Sequence, residues 1–231
     1  MSIEDREQWE RQWETTSDAE FEWSLPDVAP QLRELVDAGG LPAGRALDLG
    51  CGAGTATAFL AEHFTQAVGV DLASAAVKQA AEKQAPVEQG VHERAHGQPA
   101  FCAADALRLP FPTATFALVF DRGCLQNLPE EAWRRYFAEI ERILVDGGVL
   151  QLLVSKLTPQ FPSVLTKRGV RLRWLWYVKK KRGGPQFLSH AFLRRVRPPA
   201  LEVRSMDDFP FVTKKGKGRR FTHAIFDKRH R

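Results

Sequence analysis

Short apolar runs recur along the chain, separated by stretches whose apolar positions lie three or four residues apart. The runs predict buried strands of a parallel sheet, and the stretches between them predict helices. Strands are predicted at 46–49, 68–71, 101–105, 116–121 and 149–155, followed by two more at 201–204 and 221–226. Helices are predicted at 4–14, 26–36, 55–63, 74–83, 128–144 and 190–196. This alternation predicts an α/β fold with a doubly wound sheet.

A glycine-rich turn joins the first predicted strand to the helix that follows it. Gly50, Gly52 and Gly54 allow a sharp turn with positive φ and carry no Cβ where a ligand approaches the backbone. A strand, a glycine loop and a helix in this order form a nucleotide-shaped receptor at the carboxyl end of a parallel strand. Asp48 lies inside the strand, either as a structural acceptor for loop amides or as a ligand-binding group.

Acidic residues end the next three predicted strands. Asp71 ends the second strand, 21 residues after the first loop glycine, where a carboxylate can accept hydrogen bonds from both ribose hydroxyls. Asp105 ends the third strand, where it could accept from an adenine amino group. Asp121 ends the fourth strand and is followed by Arg122. Because the carboxyl ends of parallel strands meet at one edge, these groups are expected to surround one cleft.

These motifs together resemble those of the class I S-adenosylmethionine-dependent methyltransferases. LDLGCGAGT is similar to the family's first motif, GVDL to its second, ADALRLPF to its third and FALVFDRG to its fourth. The resemblance covers roughly residues 44–155. It implies a Rossmann-like, doubly wound and mostly parallel seven-stranded sheet, with helices on both faces and an antiparallel last strand.

The same resemblance implies S-adenosyl-L-methionine as the cofactor and S-adenosyl-L-homocysteine as the product. The cofactor-binding residues that it implies within the domain are Asp48, Gly50, Gly52, Gly54, Asp71, Leu72, Asp105, Ala106 and Asp121. A dehydrogenase is the weaker alternative, because the glycine pattern is GxGxG and no second dinucleotide-binding half is visible.

The residues after the fourth strand bear on the methyl acceptor. They contain no Asn/Asp-Pro-Pro-aromatic tetrad, the usual signature of base methylation. Asp121-Arg122-Gly123 instead resembles the thiopurine, thiol and halide methyltransferase group, which implies Asp121 and Arg122 as catalytic residues and Arg122 as a substrate contact. A small molecule methylated on a thiol or sulfide sulfur is the expected acceptor. The alternatives are an oxygen or nitrogen acceptor, with Tyr177 or His190 as base, and a noncatalytic cofactor-binding regulator.

Residues 1–43 form a helical arm that the core fold does not need. Trp9 and Trp13 lie four residues apart on one face of the first predicted helix, and Trp23 follows after a polar segment. The spacing resembles the amino-terminal arm of the same methyltransferase group, which implies that the three tryptophans cover the cofactor as a lid. Static packing of the arm on the sheet edge is the alternative.

Residues 44–231 form the predicted methyltransferase domain, with a basic and aromatic insertion at about 156–187. Trp174, Trp176 and Tyr177 are the candidate substrate contacts of the insertion. Residues 1–100 carry 17 acidic and 7 basic side chains, whereas residues 101–231 carry 11 acidic and 26 basic ones. Such a basic half attracts anions. Contact with a nucleic acid or an anionic membrane surface is therefore the alternative to a solvated basic face.

Composition narrows the class of protein further. No apolar run approaches the ~20 residues of a membrane-spanning helix, and the charged amino terminus lacks the apolar region of a signal peptide. The three cysteines form no CxxC pair, which fits a reducing, cytoplasmic compartment. His92 and His96 have no third ligand nearby, so no metal site is expected. Cys124 is expected to pack in the turn rather than to act as a nucleophile.

Overall fold

The structure of the protein is a computed structural model, and it describes residues 3–85, 97–156, 189–212 and 218–230. The strands are β1 (Arg45–Leu49), β2 (Gln66–Asp71), β3 (Ala100–Ala103), β4 (Phe116–Arg122), β5 (Leu144–Lys156), β6 (Leu201–Val212) and β7 (Gly218–Lys228). The helices are α1 (Ile3–Thr15), α2 (Pro30–Asp37), α3 (Thr55–Ala61), α4 (Ser74–Lys83), α5 (Trp133–Ile143) and α6 (His190–Val196).

The strands form one sheet in the order β3-β2-β1-β4-β5-β7-β6. The strands from β3 to β5 in this order run parallel, and β7 runs antiparallel to both β5 and β6. The predicted doubly wound, mostly parallel seven-stranded sheet with an antiparallel last strand is confirmed. The strand order reverses between β1 and β4, and ligands of open α/β sheets bind in the crevice outside such a switch point.

Helices cover both faces of the sheet, as predicted. On one face, Leu32 of α2 and Leu60 of α3 belong to the same buried cluster as Phe120 of β4. On the other face, α5 contributes Tyr136 and Phe137 to a second cluster, which α6 joins. The central strands are therefore buried on both sides, which explains why their sequences are continuous apolar runs rather than alternating ones.

β5, β6 and β7 are all clearly longer than the sequence pattern predicts. β5 begins at Leu144 rather than at 149, so Gly147 and Gly148 lie inside the strand, where the register with β4 shifts. β6 continues to Val212, well past the predicted end at 204. Asp207, Asp208 and Pro210 interrupt its apolar pattern, but pairing with β7 stabilises the whole strand. An edge strand tolerates proline because one side of its backbone has no neighbouring strand to pair with.

The helix bounds agree more closely, except that α5 begins at Trp133, five residues later than predicted. α4 and α6 have the predicted limits, and Ser189 caps α6 by accepting a hydrogen bond from the Phe192 amide at 3.2 Å. α2 begins at Pro30, four residues later than predicted, because proline suits the first turn of a helix, where its missing N–H is not needed.

Several predicted features fall outside the described residues. These are the insertion after Lys156, its candidate substrate contacts Trp174, Trp176 and Tyr177, and the pair His92 and His96. Residues 213–217, between β6 and β7, also lie outside the described residues. In the part of the chain that the structure describes, no helix is both long and apolar enough to cross a membrane.

Candidate active site

A cavity of about 490 Å³ opens at the carboxyl edge of the parallel strands. Its walls are the glycine loop after β1, the amino-terminal arm and the turn that follows β4, and side chains of β6 and β7 contribute to one end. Cavities of about 300–1,000 Å³ are typical of small-molecule and cofactor sites. The position at the switch point and the volume together make this cavity the candidate active site.

Close neighbours shape the glycine loop between β1 and α3. Gly50 and Gly52 have φ angles of 74° and 52°, in the left-handed region that favours glycine. A Cβ on Gly50 would lie 2.8 Å from the Cβ of Cys124, and a Cβ on Gly52 would lie 3.1 Å from the ring of Trp13. Both glycines line the cavity. The loop therefore passes directly against the arm and against the turn after β4.

Gly54 occupies a different place from the other two loop glycines. A Cβ on Gly54 would lie 2.7 Å from the ring of Phe101 on β3, and this residue is not among the described residues that line the cavity. The structure places Gly50 and Gly52 at the cavity and Gly54 behind it, where it allows close packing of the loop on the sheet.

The carboxylate of Asp71 lies between the glycine loop and the start of α4. Its Oδ2 accepts a hydrogen bond from the Gly52 amide at 3.0 Å, and its Oδ1 accepts one from the Ala73 amide, also at 3.0 Å. Burial raises its pKa, while these amide hydrogen bonds oppose the rise. Asp71 also lines the cavity. Each oxygen retains a lone pair that could accept a ligand hydroxyl.

Asp48 is buried in β1 and also lines the cavity. Its Oδ2 accepts a hydrogen bond from the hydroxyl of Thr57 in α3 at 2.7 Å. Burial raises its pKa to about 6, while the Thr57 hydrogen bond and the positive charge of Arg122 act in the opposite direction. Its observed side-chain partner is thus a helix hydroxyl, and its contact with a ligand stays a prediction.

We expect the free energy of unfolding of the Asp48→Asn variant to depend less on pH than that of the wild type. The pKa of about 6 in the native state exceeds the value of about 3.9 for an unfolded chain. The native carboxyl binds its proton more tightly, so its stabilising contribution is present at low pH and is lost as pH rises through 6. From pH 5 to pH 7 the free energy of unfolding of the wild type should fall by about 1 kcal/mol relative to the variant. Urea titrations at both pH values measure this difference, and a difference that does not change with pH would contradict the expectation.

Asp121 organises the turn after β4 from the interior. It is fully buried, and its carboxylate accepts hydrogen bonds from the amides of Cys124 and Leu125, at 2.7 and 3.0 Å, and from the Tyr136 hydroxyl at 2.6 Å. Burial raises its pKa to about 6. Asp121 is not among the described residues that line the cavity. The structure therefore places Asp121 against the backbone of the turn rather than against the predicted ligand.

Arg122 projects from the other face of β4 and lines the cavity. Its Nη1 donates a hydrogen bond to the backbone carbonyl of Trp23 at 2.9 Å. This contact joins the end of β4 to the arm. Arg122, the predicted substrate contact, is thus a cationic side chain whose position is fixed by a hydrogen bond to the arm.

The thiol of Cys124 faces the first loop glycine, and burial raises its pKa well above the ordinary value. The negative charges of Asp121 and Asp71 act in the same direction. The side chain is therefore held in its thiol form at neutral pH, which agrees with packing and not with nucleophilic chemistry.

Four aromatic rings of the arm form a cluster beside the cavity. The Phe21 ring centroid lies 4.6 Å from those of Trp13 and Trp23, and Trp9 meets Trp23 edge to face at 6.4 Å. Trp13 is buried, whereas Trp23 is 40% exposed. All three tryptophans line the cavity, a position that is compatible with both the lid and the static-packing interpretations. Closure of the arm over a ligand stays a prediction.

A carboxylate that the sequence did not single out holds the arm on the domain. Glu10 of α1 accepts hydrogen bonds from the amides of Ser74 and Ala75, at 2.7 and 2.9 Å. These amides belong to the first turn of α4, where Ala73 has no side-chain group to cap them. Glu10 therefore caps a helix from a distant part of the chain. A helix start without a capping residue is the sequence signal that could have suggested such a partner.

Other predicted residues lie around the same cleft. Leu72 and Ala106 line the cavity. β3 ends at Ala103, so the prediction that Asp105 ends this strand is wrong: Asp105 lies two residues beyond it. Asp105 accepts a hydrogen bond from the Leu107 amide at 2.9 Å and is not among the described lining residues, although its neighbour Ala104 is. The adenine contact of Asp105 stays a prediction.

His190, a candidate base, begins α6, which packs on the same face of the sheet as α5. Its Nε2 lies 2.8 Å from Oδ1 of Asp208, and that same oxygen accepts a hydrogen bond from the Thr222 hydroxyl at 3.0 Å. His190 is not among the described residues that line the cavity. The other candidate base, Tyr177, lies outside the described residues.

The cavity wall carries an excess of negative charge. Its described acidic residues are Asp5, Asp18, Glu22, Asp27, Asp48 and Asp71. Arg122 is the one cationic side chain among the described lining residues. Such a wall suits a ligand with positive charge and hydroxyl groups. Among the described residues there is no group of three His, Cys, Asp or Glu side chains that could hold a metal ion.

Comparison with known proteins agrees with this geometry. A family model described as "Methyltransferase domain" matches residues 46–148, which cover the segment from β1 into β5.

Three curated relatives match parts of the chain. A probable thiol methyltransferase 2 of Arabidopsis thaliana is 27% identical over 63% of this chain and 60% of its own length. A malonyl-[acyl-carrier protein] O-methyltransferase of Herminiimonas arsenicoxydans is 35% identical over 57% of this chain and 43% of its own. Thiocyanate methyltransferase 1 of Brassica oleracea is 38% identical over 32% and 31%. The chain thus spans less than two thirds of the length of each of these relatives.

Solved structures share the fold over most of the chain. A protein described in the conversion of a disulfide bond into a thioacetal group during echinomycin biosynthesis superposes with a TM-score of 0.71 at 21% identity, covering 97% of this chain and 92% of the other. An S-adenosylmethionine-dependent methyltransferase of Methanosarcina mazei superposes with a TM-score of 0.66 at 20% identity, covering 89% and 100%.

Fold, cleft and family model therefore define one class of protein. Residues 46–148 match a methyltransferase domain, and the chain resembles the class I, S-adenosylmethionine-dependent methyltransferases in sheet order and motifs. Within this class it resembles the thiol methyltransferase group. The family resemblance predicted from the sequence is confirmed.

Proposed function

We propose that the protein transfers a methyl group from S-adenosylmethionine to a small-molecule acceptor, on the sulfur of a thiol or sulfide. The proposal is carried by the composition of the cavity wall. Its described residues include Arg122 and no histidine, tyrosine or lysine. An alcohol has a much higher pKa and would need a base, whereas thiols are far more acidic, with a pKa of about 8.5 for the cysteine thiol, and form a thiolate more readily.

The described residues suit the cofactor. Asp71 is positioned to accept from ribose hydroxyls, next to the backbone of Gly52. The acidic wall balances the positive sulfonium and ammonium groups of S-adenosylmethionine. When bound, the cofactor supplies an electrophilic methyl group. Trp13 lies against the loop backbone and shields this part of the cavity from water.

Arg122 has the central role toward the acceptor. The hydrogen bond to the Trp23 carbonyl fixes one end of the guanidinium, and its charge favours the thiolate form of a neighbouring thiol. Asp121 acts through the turn that carries Cys124 and Leu125, and is in this proposal a positioning residue. No enzyme nucleophile is needed, because the acceptor attacks the methyl group directly.

Three other functions are alternatives to this one. The O-methyltransferase among the relatives keeps an oxygen acceptor as an alternative, with His190 or Tyr177 as base. Recruitment of a nucleic acid or an anionic membrane would depend on the basic insertion, which lies outside the described residues. Intact glycine-loop and acidic motifs disfavour a noncatalytic regulator.

An acceptor panel with isotopically labelled S-adenosylmethionine tests the proposal. Thiols, phenols, amines and carboxylates are assayed from mildly acidic to mildly alkaline pH. We expect turnover of thiols, rising with pH as the thiolate fraction grows, and little change in the Tyr177→Phe variant. Turnover of oxygen or nitrogen acceptors alone, or its loss in Tyr177→Phe, would refute the sulfur assignment.

A further inference from the structure

The end of the cavity beside β6 and β7 differs in chemistry from the rest. Phe211 and Phe221 form this end with Phe120 of β4, and the rings of the first two lie 4.9 Å apart between centroids. Phe120 and Phe221 are buried, and Phe211 is partly buried against the same core cluster. Three aromatic side chains from three strands thus meet on one face of the sheet.

The aromatic end is contiguous with the reacting position. Phe120 and Arg122 lie two residues apart on β4 and project to the same face. β5 lies between β4 and β7 in the sheet, Phe221 of β7 pairs with Ser155 of β5, and Phe211 follows on β6. The three rings line the same cavity as Arg122. A molecule held beside Arg122 would therefore extend its body along these rings.

Val28 and Leu25 add further apolar surface to the cavity lining. The negative charge of the neighbouring Asp27 is balanced by an ion pair. Asp27 lines the cavity, but its carboxylate pairs with the guanidinium of Arg33 at 3.3 Å. Among the described lining residues the other carboxylates belong to the arm, β1 and β2. A negatively charged acceptor body would meet an acidic cavity, and an uncharged apolar body would gain from burial.

We propose that the aromatic end formed by Phe120, Phe211 and Phe221 binds the body of the acceptor and selects uncharged, hydrophobic thiols over anionic ones. This inference rests on the proposed methyl transfer to sulfur and adds the class of acceptor. Phe211 is the residue of this aromatic end that determines specificity. Phe120 and Phe221 are buried in the core, whereas the partly buried ring of Phe211 keeps surface that an acceptor can contact.

Alkanethiols of increasing length provide the first test, since their thiol pKa values are alike. For ethanethiol, 1-butanethiol and 1-hexanethiol, kcat/KM should rise about threefold per methylene in the wild type, and 3-mercaptopropionate should be a poorer acceptor than 1-butanethiol. In Phe211→Ala the gain should fall below about twofold per methylene. Phe211→Trp, which fills the space, should discriminate against 1-hexanethiol.

Phe209→Ala is the matched control. Phe209 lies on the same strand, its ring is 5.8 Å from that of Phe221, and it is not among the described lining residues. It should keep the wild-type dependence on chain length. A preference for 3-mercaptopropionate, or an equal loss of length dependence in Phe209→Ala and Phe211→Ala, would overturn the inference.

A binding measurement separates this inference from the proposed reaction. Hexyl methyl sulfide needs no turnover, and calorimetry in the presence of S-adenosylhomocysteine should show binding that Phe211→Ala weakens at least about fivefold and Phe209→Ala leaves unchanged. Such binding without thiol turnover would refute the reaction and retain the apolar site. Absent or equal binding in all three proteins would refute the site.

Discussion

Asp71→Ala is expected to bind S-adenosylhomocysteine about 30- to 150-fold more weakly than the wild type, which corresponds to about 2–3 kcal/mol. The variant loses a charged acceptor for two ligand hydroxyls. It also leaves the Gly52 and Ala73 amides without the carboxylate oxygens to which they donate in the wild type. Isothermal calorimetry near neutral pH measures the affinity.

Asp37→Ala is the control for this prediction. Asp37 is an exposed aspartate at the end of α2, remote in the chain from the strand tip. Its replacement should leave affinity unchanged. Because Asp71→Ala also disturbs the loop, circular dichroism must show that the variant is folded. Wild-type affinity in a folded Asp71→Ala protein would refute the assignment of the ribose site.

Asp121→Ala is expected to lower the free energy of unfolding by about 3 kcal/mol or more. The substitution leaves the Tyr136 hydroxyl and the amides of Cys124 and Leu125 without their shared acceptor in a buried place. Tyr136→Phe removes only one donor and should cost about 1 kcal/mol. Urea denaturation of both variants measures the difference.

The same pair of variants tests whether Asp121 positions the turn or touches the reacting groups. A positioning role predicts that Tyr136→Phe, which leaves the carboxylate in place, changes KM more than kcat at every pH. A direct role predicts an activity that follows the ionisation of Asp121, whose native pKa is raised to about 6 by burial. An Asp121→Ala protein as stable as the wild type would show that the turn does not depend on this carboxylate.

The parts of the site that the sequence predicted are encoded locally. The glycine loop follows directly from β1, and Asp71 ends the next strand, so the spacing of two adjacent elements determines their meeting. Parallel strands carry their carboxyl ends to one edge, and the motif order was sufficient to predict the sheet. Asp48 and Arg122 were found for the same reason.

The remaining contacts join residues that are distant in the chain. Glu10 meets the amide of Ser74 across 64 positions, and Arg122 reaches Trp23 across 99. No local periodicity encodes such pairs. Phe211 and Phe221 were missed because Pro210 and the acidic pair before it hide the length of β6, and only the pairing with β7 reveals which rings face the cavity.

The helix cap supplied by Glu10 links docking of the arm thermodynamically to ligand binding at the glycine loop. Undocking the arm would remove the Trp13 ring from Gly52 and leave the first amides of α4 without an acceptor in the same step. A ligand that binds only the docked form raises the population of that form. Linkage is reciprocal. If the ligand raises the equilibrium constant for docking by a certain factor, docking raises the binding constant of the ligand by the same factor. Docking of residues 3–16 would thus tighten the binding of any ligand that requires the docked arm, although none of these residues belongs to the sheet.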